Sequence, residues 1–65
     1  MNIGDIIKIK KETLENGYIL GYTEEDRYEI IGFGESLIHT PIAYLRSVGN
    51  EVYEDYLPVS MIELA

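Results

Sequence analysis

Short runs in which apolar and polar residues alternate, cut every few positions by turn formers, cover this chain from end to end. Alternation with period two marks a strand with one buried face, because successive side chains leave the pleat on opposite sides. Residues 5–10 read Asp-Ile-Ile-Lys-Ile-Lys, with Ile7 and Ile9 on one side, Ile3 in phase with them, and Lys8 and Lys10 on the other. The polar stretch 11–16 follows and runs into Asn16-Gly17, a dipeptide suited to a tight turn. A strand is expected over 18–22, with Tyr18, Leu20 and Tyr22 on one side, and another over 28–33, where Tyr28, Ile30 and Gly32 alternate with Glu29, Ile31 and Phe33. Between them, Thr23-Glu24-Glu25-Asp26 is a charged turn that no core could hold. Gly32 and Gly34 flank Phe33, and glycines within a strand mark a bend or a bulge, as a small curled sheet needs. Residues 36–40 read as irregular and stop at Pro41. A strand over 42–48 turns at Gly49-Asn50 and pairs back with 51–57. Pro58 ends that hairpin, 59–61 suits one turn of 3-10 helix, and 62–64 closes the chain as a last short strand. A helix over 58–65 is the competing reading, but eight residues make a marginal helix unless packed.

Composition narrows the function more than the fold. Sixty-five residues suffice for one domain, 1–65, with one small core. The absence of cysteine removes disulfide scaffolds, zinc ribbons and catalytic thiols. At 46% hydrophobic with six tyrosines, the chain carries more apolar material than disordered segments do. Twelve acidic against five basic side chains give a net charge of −7, which argues against direct nucleic-acid binding, since phosphate contacts need clustered Lys and Arg. No apolar run approaches the roughly 20 residues that span a bilayer. The opening Met-Asn-Ile-Gly-Asp carries neither a basic nor an apolar leader segment, so a cytoplasmic location is expected.

The closing segment Asp55-Tyr56-Leu57-Pro58-Val59-Ser60-Met61-Ile62-Glu63-Leu64 resembles the closing motif of the Src-homology-3-like small barrels, in which a strand runs into a proline, a tight turn and a final short strand. Pro58 matches that family's proline, while Ser60 and Met61 stand where its peptide-binding members carry Asn and Tyr. Gly4-Asp5-Ile6-Ile7-Lys8-Ile9 resembles the first strand of bacterial barrels of this superfold, and 11–27 would be the long loop between its first two strands. The resemblance implies an all-β, five-stranded barrel with a long first loop and a short 3-10 turn before the last strand. It does not carry over the family's familiar activities. There is no tryptophan, the closing-turn aromatic is Met61, and the loops hold Glu24, Glu25, Asp26 and Glu51 where nucleic-acid-binding members are basic.

Individual residues offer little chemistry. His39 is the sole histidine; Glu35 and Ser36 are its neighbours in sequence, and nothing in the pattern brings the three together. Glu24, Glu25 and Asp26 lack the alternate spacing of a calcium loop, so no metal site is expected. Gly32-Phe33-Gly34 lacks the third glycine and following helix of a dinucleotide fingerprint. No catalytic residue and no cofactor is therefore assigned, and the chain is read as a non-enzyme. Tyrosine at this density either caps the ends of the core or supplies an interface, where its rigid ring and polar tip are favoured. The expectation is a protein-binding module of the kind found among phage or mobile-element accessory and inhibitor proteins. It would engage a basic, nucleic-acid-binding partner through Glu24, Glu25, Asp26, Glu51, Tyr53, Glu54, Asp55 and Tyr56. Two alternatives stay open: an oligomeric small-ligand or nucleotide-binding sponge, and a structural subunit whose edge strands pair between chains.

Overall fold

The computed structural model describes residues 1–17, 19, 21–49 and 53–65. Strand β1 (Ile6–Ile9) leads into a short helix α1 (Lys11–Asn16), after which β2 (Tyr28–Glu35), β3 (Pro41–Ser47) and β4 (Glu54–Pro58) form an antiparallel meander. A 3-10 turn (Val59–Met61) then turns the chain into β5 (Ile62–Leu64). Every strand pair is antiparallel, and the five make one open sheet in the order β4-β3-β2-β1-β5. The first and last strands meet because β5 returns along β1, with Ile9 opposite Ile62 and Ile7 opposite Leu64.

The core is the inward half of that alternation. Ile7, Ile9, Tyr28, Ile30, Ala43, Leu45, Leu57 and Ile62 form one buried cluster, with Leu14, Ile19, Tyr22 and Val59 packed at its margin. Full burial of an Ile or Leu contributes about 1.5–3 kcal/mol each, and so small a core leaves little reserve. Ile3, in phase with Ile7 by sequence, lies exposed outside it.

Three expectations are corrected. The segment after β1 is not a plain loop, because 11–16 is helical: Thr13 is buried, Leu14 packs on the core, and Asn16-Gly17 ends a helix rather than turning a hairpin. Gly17 adopts φ 68°, the left-handed conformation of a helix C-terminus, and donates its N–H to the Leu14 carbonyl. No strand forms at 18–22 among the described residues: Ile19, Gly21 and Tyr22 are bend or coil, and Tyr18 and Leu20 lie outside the described residues. Gly32 does not share a face with Tyr28 and Ile30. The ladder pairs Ile30 with Leu45 and then Gly32 with Tyr44, so Ile31 is an extra residue and everything after it changes face. The glycines do mark a bulge, as expected, and the bulge carries them to the outside of the sheet.

Candidate protein-interaction surface

The outward side of β2, β3 and β4 is built in rows across the three strands. Glu29, Arg46 and Glu54 stand opposite one another, then Gly32, Tyr44 and Tyr56, then Gly34, Ile42 and Pro58. The first row is charged and solvated, with Arg46 Nη2 3.9 Å from Glu54 Oε1. The other two rows are apolar. Tyr44 lies across the glycines; a Cβ on Gly34 would stand 3.0 Å from the Tyr44 ring and hydroxyl. Ile42 is only 6% exposed yet does not belong to the core cluster, because its cover comes from this outer side. A groove of about 610 Å³ opens there, walled by Leu37, Ile38, Ile42, Tyr44, Tyr56 and Pro58, with Glu35 at its lip.

The residues expected to make the contact surface fall into two places. Glu25, Asp26 and Tyr53 line one cleft at the β3–β4 hairpin end, together with Arg27 and Gly49. Glu54 and Tyr56 belong to the outer face of the sheet, where a shallow groove also reaches Asp55. Glu51 lies outside the described residues. Glu24 sits in the same turn as Glu25, fully on the surface.

That acidic turn is internally braced. Asp26 Oδ2 accepts the Thr23 N–H at 2.9 Å, and Thr23 Oγ1 accepts the Glu25 N–H at 3.3 Å. Arg27 folds its guanidinium back onto the turn, donating from Nη1 to the carbonyls of Glu24 (2.7 Å) and Asp26 (2.9 Å). Nη1 is thus engaged by backbone, and among the described residues neither Glu24 nor Glu25 makes an ion pair.

The tyrosines divide by role. Tyr28 is 1% exposed, meets Tyr22 and Tyr53 ring to ring, and shares a hydroxyl–hydroxyl hydrogen bond of 3.1 Å with Tyr53. Tyr22 donates its hydroxyl to Asp55 Oδ2, tying the 21–27 segment to β4. Burial, and then these hydrogen bonds, push both the Tyr22 and Tyr28 phenols well above the ordinary value of 10.0. Tyr44, Tyr53 and Tyr56 are exposed. The core-capping reading thus describes Tyr22 and Tyr28, while Tyr44, Tyr53 and Tyr56 stand on the surface.

His39 does meet a carboxylate. Its Nδ1 lies 3.1 Å from Glu35 Oε2, but both side chains stand largely in solvent, and the Ser36 hydroxyl accepts the Thr40 N–H within the same turn. This is a brace of the β2–β3 turn, not a dry pocket in which a base could be tuned. Among the described residues no cluster of three or more His, Asp or Glu is placed to hold a metal ion, and no helix is long and apolar enough to cross a membrane. Comparison of the chain with protein-family models, with curated proteins and with solved structures finds no match.

Proposed function

We propose that this chain is a non-catalytic protein-binding module, of the Src-homology-3-like barrel type, that engages a basic partner through its acidic, tyrosine-bearing end. The barrel assignment draws its support from the meander β2-β3-β4, the 3-10 turn after Pro58 and the return of β5 along β1. The observation that carries the functional reading is the 23–27 turn. Its own hydrogen bonds hold it in shape, its one cation is held on the turn's own carbonyls, Glu24 and Glu25 are exposed, and Glu25 lines one cleft with exposed Tyr53. Fixed carboxylates that form no ion pair among the described residues, next to an aromatic, favour a Lys- or Arg-bearing surface and steer its approach. The alternative of edge-strand assembly has less support at the β4 edge, which is blunted: Asp55 Oδ1 takes the Tyr56 N–H at 2.7 Å, and Pro58 has none to offer.

The test is capture from a lysate of the source cells with the immobilised chain, at about 0.05 M and about 0.5 M salt, where the screening length falls from roughly 14 to 4 Å. A basic protein retained at low salt, released at high salt, and lost on Glu24→Gln/Glu25→Gln is the expected result. Capture indifferent to salt and to both substitutions would overturn the reading.

A further inference from the structure

The turn joining β2 to β3 breaks the usual chemistry of turns. His39 donates its N–H to the Ser36 carbonyl at 2.9 Å, which puts Leu37 and Ile38 at the two central positions, where Gly, Pro, Asn, Asp and Ser are the normal occupants. Leu37 is 102% and Ile38 82% exposed, so neither contributes to the core. The turn is nevertheless built to keep its shape. Ser36 donates its N–H to the Thr40 carbonyl at 2.9 Å, the Ser36 hydroxyl accepts the Thr40 N–H at 3.1 Å, and His39 takes φ 60°. A shaped turn that presents two aliphatic side chains to water has no rationale in folding. It has one in binding, since a pre-ordered tip loses little entropy on contact.

The tip stands at the wall of the 610 Å³ groove over the two apolar rows of the outer sheet face. We infer that this groove, with Leu37 and Ile38 as one wall and Tyr44, Tyr56, Ile42 and Pro58 as floor and far wall, docks a segment of a basic protein that brings an aliphatic or aromatic anchor and a neighbouring Lys or Arg. Charge selects this occupant. Glu35 stands at the lip of the groove, and Glu29 and Glu54 close the far row with Arg46 alone between them. A second copy would bring a chain of net charge −7 against another of −7. An added strand meets the blunted β4 edge. The Ile42–Pro58 row and the Arg46–Glu54 row are four residues apart along β3 and β4, or about 13 Å at strand rise. An extended segment would therefore carry its cation about four positions from its anchor. This inference takes the basic partner from the reading above and adds where its apolar contact lies.

The experiment titrates the full, isotope-labelled chain with a synthetic peptide of glycine and serine carrying leucines at two alternate positions and lysines two and four positions beyond them, followed by amide and side-chain NMR shifts. Shifts are expected at Ile38, Ile42, Tyr44 and Tyr56. Ile38→Ser or Tyr56→Ala should weaken binding about tenfold or more, a typical loss for an interface anchor. Glu54→Gln should weaken it about threefold at low salt and leave it unchanged at high salt. Each variant is first checked for an unchanged, dispersed spectrum. Absence of shifts at the groove, equal binding of a peptide with glutamates in place of the lysines, or concentration-dependent dimerisation abolished by Ile38→Ser would each overturn the inference. A lysate partner held in a salt-sensitive way but indifferent to Ile38→Ser and Tyr56→Ala would overturn it too, while leaving the acidic-end reading in place.

Discussion

His39 holds a backbone conformation that glycine adopts at no steric cost, φ 60° at the end of the 36–39 turn. A side chain there costs roughly 1–2 kcal/mol, and its exposed contact with Glu35 returns little of that. His39→Gly, after the added unfolded-state entropy of glycine, is expected to raise stability by about 0.5 kcal/mol, read as a higher urea midpoint at unchanged slope. Gly34 makes the opposite point. Its φ is ordinary, and what matters is the Tyr44 ring where a Cβ would be. The Tyr44 ring edge presented to it should displace a Gly34 Hα resonance downfield, and Tyr44→Ala should abolish that displacement. An aromatic covering cross-strand glycines restores contact that the glycines lack. The sequence made Gly32 and Gly34 legible as bulge markers, yet not the face on which they would lie. One extra residue reverses every later side chain, and period-two reading has no means of counting it in advance.

Among the elements, the stretch between β1 and β2 is held to the sheet by identifiable fasteners. Tyr22 holds it to β4 through Asp55, and its ring rests near Tyr28. Tyr22→Phe removes a donor to a carboxylate and should cost about 1–2 kcal/mol by denaturant unfolding. The raised phenols give a pH dependence of definite sign. Tyr22 and Tyr28 keep their protons in the folded chain at pH values where unfolded tyrosines, near 10.0, lose theirs. Their contribution is complete below pH 10 and is lost as pH climbs through and beyond it. Thermal melts by circular dichroism between pH 9 and 11.5 should show this alkaline fall, reduced in Tyr28→Phe, which keeps the ring and drops the titrating group. Helix α1 escaped sequence reading for a plain reason. Six residues with only Thr13 and Leu14 turned inward are too few to display a 3.6-residue period, and Asn16-Gly17 serves a helix end as readily as a hairpin.

For the whole molecule, stability and binding should separate cleanly. Leu45→Ala empties part of a core with few members and is expected to cost about 2–5 kcal/mol, enough to unfold a domain of this size. Ile38→Ser should shift the melting temperature hardly at all, because Ile38 lies outside the core and is mostly exposed. Differential scanning calorimetry of the two variants checks the contrast. The chain's amino acids alone made β1, β2, β3, β4 and β5, the 3-10 turn before the last strand and the shared face of Ile7 and Ile9 legible, together with a strand at 18–22 that does not form among the described residues. They could do so because alternation and turn chemistry are local, encoded within a few neighbouring positions. Only the three-dimensional arrangement decided that the tyrosines split between core margin and surface, that the acidic turn spends Arg27 on its own carbonyls, and that Leu37 and Ile38 wall a groove over Tyr44 and Tyr56. Those are properties of residues far apart in the chain. Strand register, the bulge at Ile31 and the long-range Tyr22–Asp55 bond bring them together, and no local pattern records such distances.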